Sequence, residues 1–81
     1  MTDTYVATFF SHYDAVRFSK NAQDMGIRVK LMPVPRKVSS SCGTGAVFET
    51  DQTDYASFAQ EGVDKIYLFR EETYTLVFET E

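Results

Sequence analysis

A single thiol, Cys42, sits in the stretch Pro33-Val34-Pro35-Arg36-Lys37-Val38-Ser39-Ser40-Ser41-Cys42-Gly43-Thr44-Gly45. A cysteine does chemistry as the thiolate, so a functional one needs surroundings that lower its pKa and leave the sulfur accessible. The residues around Cys42 are of the right type. Gly43 offers an amide with no side chain in the way, Ser39, Ser40 and Ser41 bring hydroxyl donors, and Arg36 and Lys37 bring positive potential. The same donors would stabilise a persulfide or perselenide anion. The plainer alternative is an inert cysteine acting as a small hydrophobe, the usual fate of a free cysteine. The flanking Ser and Gly weigh against an apolar setting.

A lone histidine, His12, is the one candidate base for that thiol, as in Cys–His pairs. Its plainer reading is an exposed residue of a first helical turn. The chain has one His and one Cys, so no zinc ligand set is expected. Gly43-Thr44-Gly45 lacks the spacing of a phosphate-binding loop, and no cofactor is expected.

The elements that must position these groups can be read from hydrophobic patterning. Thr4 to Phe10 is β-branched and aromatic, which suits a first strand. Ser11-His12-Tyr13-Asp14 has the form of a capping box, with Asp14 placed to accept a backbone N–H. The helix it opens carries Ala15, Phe18, Ala22 and Met25 at steps of three and four, and Gly26 reads as its left-handed cap. Ile27 to Met32 alternates apolar and basic residues and predicts a second strand. The thirteen residues Pro33 to Gly45 have too much Pro, Ser and Gly for a regular element and read as a long loop. Ala46 to Glu49 resumes a strand, Asp51 to Glu61 suits a short helix closed by Gly62, and Val63 to Phe69 gives a fourth strand with Ile66 and Leu68 on one side. Tyr74 to Phe78 alternates again and predicts a hairpin strand at the sheet edge.

This order, βαββαβ plus one strand, predicts an α+β fold: a ferredoxin-like antiparallel sheet with two helices on one face and an extra C-terminal edge strand. In that topology the exit of the first strand and the loop after the second share one edge. Ser11, His12 and the first helix N-terminus are then expected beside Cys42.

The bulk numbers set the frame. With 81 residues, 43% hydrophobic and 15% aromatic, the chain is expected to fold as one domain over 1–81. No apolar run approaches the ~20 residues needed to cross a bilayer, and Met1 to Thr4 lack a signal-peptide plan, so no membrane partner and a cytoplasmic location are expected. One cysteine cannot form an internal disulfide, which fits a reducing compartment. The net charge of −4 argues against nucleic-acid binding, but the charge is unevenly spread. Residues 1–42 carry +3 and residues 43–81 carry −7. Arg28, Lys30, Arg36 and Lys37 lie on the approach to the thiol.

The loop Pro33 to Gly43, with its Pro-Arg and Ser-Ser-x-Cys-Gly elements, resembles the signature of a family of small bacterial proteins described as selenium/sulfur carrier-like. The likeness runs over about Tyr5 to Gly62 and includes a first strand ending in Phe and a Ser- and His-containing helix start. The acidic tail beyond Arg70 departs from the family's more compact ending. The resemblance implies that Cys42 holds sulfur or selenium as a persulfide or perselenide. It would receive the atom from a donor protein such as a cysteine desulfurase and pass it to an unidentified acceptor, as a carrier rather than a self-sufficient enzyme.

Two other functions compete. A small ferredoxin-like module can bind ligands or form a homodimer through an edge strand, with Tyr74 to Phe78 as that edge and the thiol incidental. A thiol enzyme or redox sensor is also possible; with no second cysteine, its resolving thiol would come from glutathione or a partner.

Overall fold

The computed structural model describes residues 2–38, 43–51 and 62–80. The elements run β1 (Asp3–Phe9), α1 (His12–Asp24), β2 (Val29–Pro33), β3 (Thr44–Thr50), β4 (Val63–Arg70) and β5 (Thr73–Glu79). The strands form one sheet in the order β2-β3-β1-β4-β5, with every neighbouring pair antiparallel. The protein is therefore α+β, with one helix among the described residues. The second helix expected over Asp51 to Glu61 falls almost wholly outside them, on 52–61.

β1 is the central strand, and Tyr5 to Phe9 are all buried, as its apolar and β-branched run requires. Tyr5, Ala7 and Phe9 face α1 and meet Ala15, Phe18 and Ala22 in one cluster with Phe48 and Ile66. Phe48 organises it: its ring lies 5.6 Å from Tyr5 and 5.4 Å from Phe18, and Phe18 lies 5.3 Å from Phe9. Such offset and tilted ring pairs are favoured by the ring quadrupoles. Ile66 is fully buried, and Leu68 packs against the same cluster. The other sheet face is covered near its middle too, since Val6 and Thr8 on β1 are 2% and 0% exposed.

The helix ends are built as their residues dictate. The hydroxyl of Ser11 accepts the backbone N–H of Asp14 at 3.2 Å and donates to its carboxylate at 2.8 Å. Half of the expected capping box is thus replaced: Asp14 takes the cap hydroxyl, a short side chain's nearest donor, where a backbone N–H was anticipated. At the other end the N–H of Ile27 bonds Ala22 O and that of Gly26 bonds Gln23 O, with Gly26 at φ +84°. This is a Schellman motif, closed by the apolar pair Ala22 and Ile27 in the core. It corrects the expectation for Met25, which is 48% exposed because the chain has turned and Ile27 fills the core in its place.

Ile27 consequently leaves β2, which starts at Val29. β3 is longer than expected, starting at Thr44 and including Gly45. Gly45 reads as a loop residue but is a packing residue. A Cβ there would lie 3.1 Å from the carbonyl of Ala7 and 3.2 Å from Val34 Cγ2, so any larger residue would make these neighbours give by a few tenths of an ångström. β4 and β5 are joined through Glu71 and Glu72, both at positive φ (52° and 62°), the backbone of a type I′ hairpin turn. β5 forms the sheet edge, as its alternation predicts. No described helix is long and apolar enough to cross a membrane.

Candidate functional site

The β2–β3 ladder closes the thiol loop at its neck. Pro33 pairs with Thr44, and the N–H of Val34 bonds the carbonyl of Gly43 at 2.9 Å. The loop is thus Val34 to Gly43, shorter at both ends than Pro33 to Gly45. Pro33 tolerates its place because β2 is an edge strand. Inside the loop, the Val38 N–H returns to Pro35 O at 3.0 Å, making a tight turn with Arg36 and Lys37 exposed at its centre. Val38 is 6% exposed and anchors that turn. Gly43, at φ +76° with open space around its Cα, leads the chain back into β3. Ser39, Ser40, Ser41 and Cys42 lie outside the described residues.

The shared edge expected for the first helix and the loop is present in the described residues. His12 opens α1, and its Nδ1 lies 3.3 Å from the hydroxyl of Thr44, at the loop's exit into β3. The Ser11 hydroxyl is committed to Asp14, so it acts on the helix cap. Asp14 also holds Arg17 at 3.4 Å. The N–H of Phe10 bonds Gly62 O at 3.1 Å, bringing the entry to β4 to the same end of the sheet.

Arg36 and Lys37 turn elsewhere. With Pro35 they line one wall of a cavity of about 410 Å³ whose other described lining is Phe69, Glu72 and Tyr74. Phe69 pairs across from Thr4, which alternates with Tyr5, so Phe69 and its partner Tyr74 lie on the sheet face away from α1. β2 ends at the end of the sheet where β1 finishes and β4 ends where β1 starts, so the turn after β2 reaches along the face away from α1 to border one cavity with the β4–β5 hairpin. Of the candidate residues, His12 meets the loop exit and Ser11 supports His12's helix, while Arg36 borders the opposite face. Thr44, Glu72 and the two ring residues were missed by sequence reasoning. Thr44 stood inside the loop with no reason to single it out, and the other three come to the loop only where its first turn reaches the β4–β5 hairpin.

The described part of the site is therefore a pinned, glycine-hinged loop with one imidazole at its exit and two cations in its first half. A family model described as "Putative Se/S carrier protein-like" matches residues 4–66, a span that takes in β1, α1, the whole thiol loop and β3 and stops within β4. No curated protein and no solved structure matches the chain. The match covers well over half of the sequence, and the protein belongs to the Se/S carrier protein-like family.

Proposed function

We propose that the protein is a sulfur or selenium carrier that holds the atom on Cys42 and relays it from a donor protein, such as a cysteine desulfurase, to an acceptor. In loading, the Cys42 thiolate attacks the terminal sulfur of a donor persulfide. The donor's S–S bond breaks, its thiolate leaves, and Cys42 carries the new persulfide. In unloading, an acceptor nucleophile attacks that terminal sulfur and the Cys42 thiolate leaves. No outside oxidant or reductant is consumed. Gly43 and the hydroxyls of Ser39, Ser40 and Ser41 stabilise the anion on the loop, and His12 takes the thiol proton.

The observation that carries this reading is the family match, which spans Cys42 and the complete loop. The pinned neck and the His12 contact at Thr44 support it, because a carrier must present one side chain reproducibly to two partners. The ferredoxin-like assignment belongs to the same reading and is supported by the strand order β2-β3-β1-β4, which βαββαβ topology requires. A reducing, cytoplasmic setting suits the chemistry. The test is cold cyanolysis after incubation with a cysteine desulfurase and cysteine. Wild-type protein releases thiocyanate in proportion to its concentration, and Cys42→Ala releases none above the desulfurase alone. Equal release from both sinks the proposal.

A second reading has one observation in its favour. β5 is the edge strand of the sheet among the described residues, and Leu76 at its centre is 46% exposed, so two copies could pair edge to edge. Sedimentation showing a dimer unaffected by Cys42→Ala and lost in Leu76→Lys would favour it.

A further inference from the structure

β2 lies at one edge of the sheet, and among the described residues it pairs with β3 alone. The bond from the Val34 N–H to the carbonyl of Gly43 makes those two residues a hydrogen-bonded pair, and the register steps back from them along β2 without a shift. Such pairs recur at every second residue of an antiparallel ladder. Met32 and Lys30 therefore turn their backbone groups to β3. Val29 and Leu31 turn their N–H and C=O groups outward, where no described residue bonds them. Pro33 has no N–H and ends this row of donors. The row is a regular template for one further strand.

The two faces of this edge differ. Val29 and Leu31 pack against the core on the α1 side. Lys30, opposite Val47, belongs to the other face, and both it and Arg28 at the start of the strand are exposed. Neither cation makes an ion pair with any described residue. A cavity of about 500 Å³ opens where the last turn of α1 meets the start of β2, with Gln23 on the helix, Arg28, Val29 and Lys30 on the edge, and Glu49 farther in. A strand added to β2 would lie one strand spacing from Arg28 and Lys30 but two spacings, about 10 Å, from Glu49 on β3, roughly a Debye length at 0.1 M salt. Glu49 also accepts the Thr4 hydroxyl at 3.5 Å. The two edge cations therefore set the sign of charge the added strand meets.

We propose that the β2 edge takes an extended segment of a partner protein as an added strand, one that alternates carboxylates with apolar residues. Its backbone bonds the outward groups of Val29 and Leu31. Its carboxylates meet Arg28 and Lys30 on one face, and its apolar residues continue the row of Val29 and Leu31 on the other, beside Gln23. A second copy of this chain fits poorly. Two β2 edges would set like charges together, and β5 holds a single carboxylate, Glu79, already 3.7 Å from Lys65 Nζ. Because β2 runs into the neck of the thiol loop at Pro33 and Thr44, the docked segment lies along the entry to that loop. The docking uses no thiol and stands apart from the carrier chemistry.

The test uses the full ¹⁵N-labelled chain and a blocked heptapeptide that alternates valine and glutamate, titrated at low salt. Saturable amide shifts along β2 are expected. Amide hydrogen exchange should slow at Val29 and Leu31 and stay unchanged at Lys30 and Met32, whose N–H groups are already bonded within the sheet. Arg28→Glu with Lys30→Glu should weaken binding by about tenfold, since each exposed pair is worth little alone but reversal adds repulsion. The same peptide with lysine in place of glutamate should not bind. No saturable shift at millimolar peptide, equal binding of the lysine peptide, unchanged affinity in the double variant, or protection that does not alternate along β2 overturns the proposal. Sedimentation of the chain alone supplies a further arm: self-association lost in the double variant would give the edge to a second copy and overturn it too.

Discussion

Nδ1 of His12 lies 3.3 Å from Oγ1 of Thr44, so the first residue of α1 touches the first residue of β3, 32 positions later, at the exit of the thiol loop. The contact joins the helix start to the loop through a group that can orient the imidazole. His12→Ala should slow alkylation of Cys42 by iodoacetamide at neutral pH by about tenfold, the size of one charge-assisted hydrogen bond to a thiolate. Thr44→Val should slow it less and cost no more than about 1 kcal/mol of folding stability. Unchanged alkylation rates in both variants would make the contact purely structural.

The architecture was largely legible because its elements carry strong local signals. Ser11 at the cap, Gly26 at the stop and the apolar steps Ala15, Phe18 and Ala22 define α1, and the run Tyr5 to Phe9 marks the central strand. What local pattern could not give is where backbones approach each other. Gly45 carries a loop signal and a packing role in the same residue, so β3 was read too short. Met25 continues the helical period but falls after the Schellman turn, where Ile27 takes over. The cavity beside Arg36 and Lys37 was illegible for a different reason. Phe69 and Tyr74 are legible as strand residues, but only the finished fold, in which the turn after β2 meets the β4–β5 hairpin, sets them across from Arg36.

The two loop glycines should fail differently. Gly43→Ala meets no neighbour but must hold φ +76°, at a cost of roughly 1–2 kcal/mol. Gly43→Asn should recover part of that loss, since Asn tolerates the left-handed region. Gly45→Ala has no such backbone strain; its methyl presses on the carbonyl of Ala7 in the central strand, which cannot retreat, and about 1–3 kcal/mol is expected. Urea denaturation of the three variants checks the order. Equal losses for Gly43→Ala and Gly43→Asn would contradict the backbone explanation.

Ser11 is predicted to matter for stability before chemistry. Ser11→Ala removes the hydroxyl that accepts the Asp14 N–H and binds its carboxylate, and should cost about 1 kcal/mol, while Ser11→Thr should retain most of it. Thermal unfolding followed by circular dichroism distinguishes the two. A loss in Ser11→Thr as large as in Ser11→Ala would show that the cap is not the cause.

Lys65 gives a pH signature. Its ammonium bonds the carboxylate of Asp64 at 3.2 Å, and that hydrogen bond raises its pKa above the usual 10.5. A raised folded-state value means the stabilisation is complete below the unfolded value and is lost as pH climbs through the folded one. The stability gap between wild type and Lys65→Met should therefore be constant from neutral pH to about 10 and shrink above it. Urea midpoints measured across that range check it; a gap that widened at high pH would reverse the sign and contradict the pairing.

The central claim, that Cys42 is the residue that holds the transferred atom, is met most directly by mass. Wild-type protein incubated with a cysteine desulfurase and cysteine, then measured intact without reductant, should gain the mass of one sulfur atom. Peptide mapping should put that gain on the fragment containing Cys42, and dithiothreitol should remove it. No added mass, or the same gain in Cys42→Ala, would contradict the account.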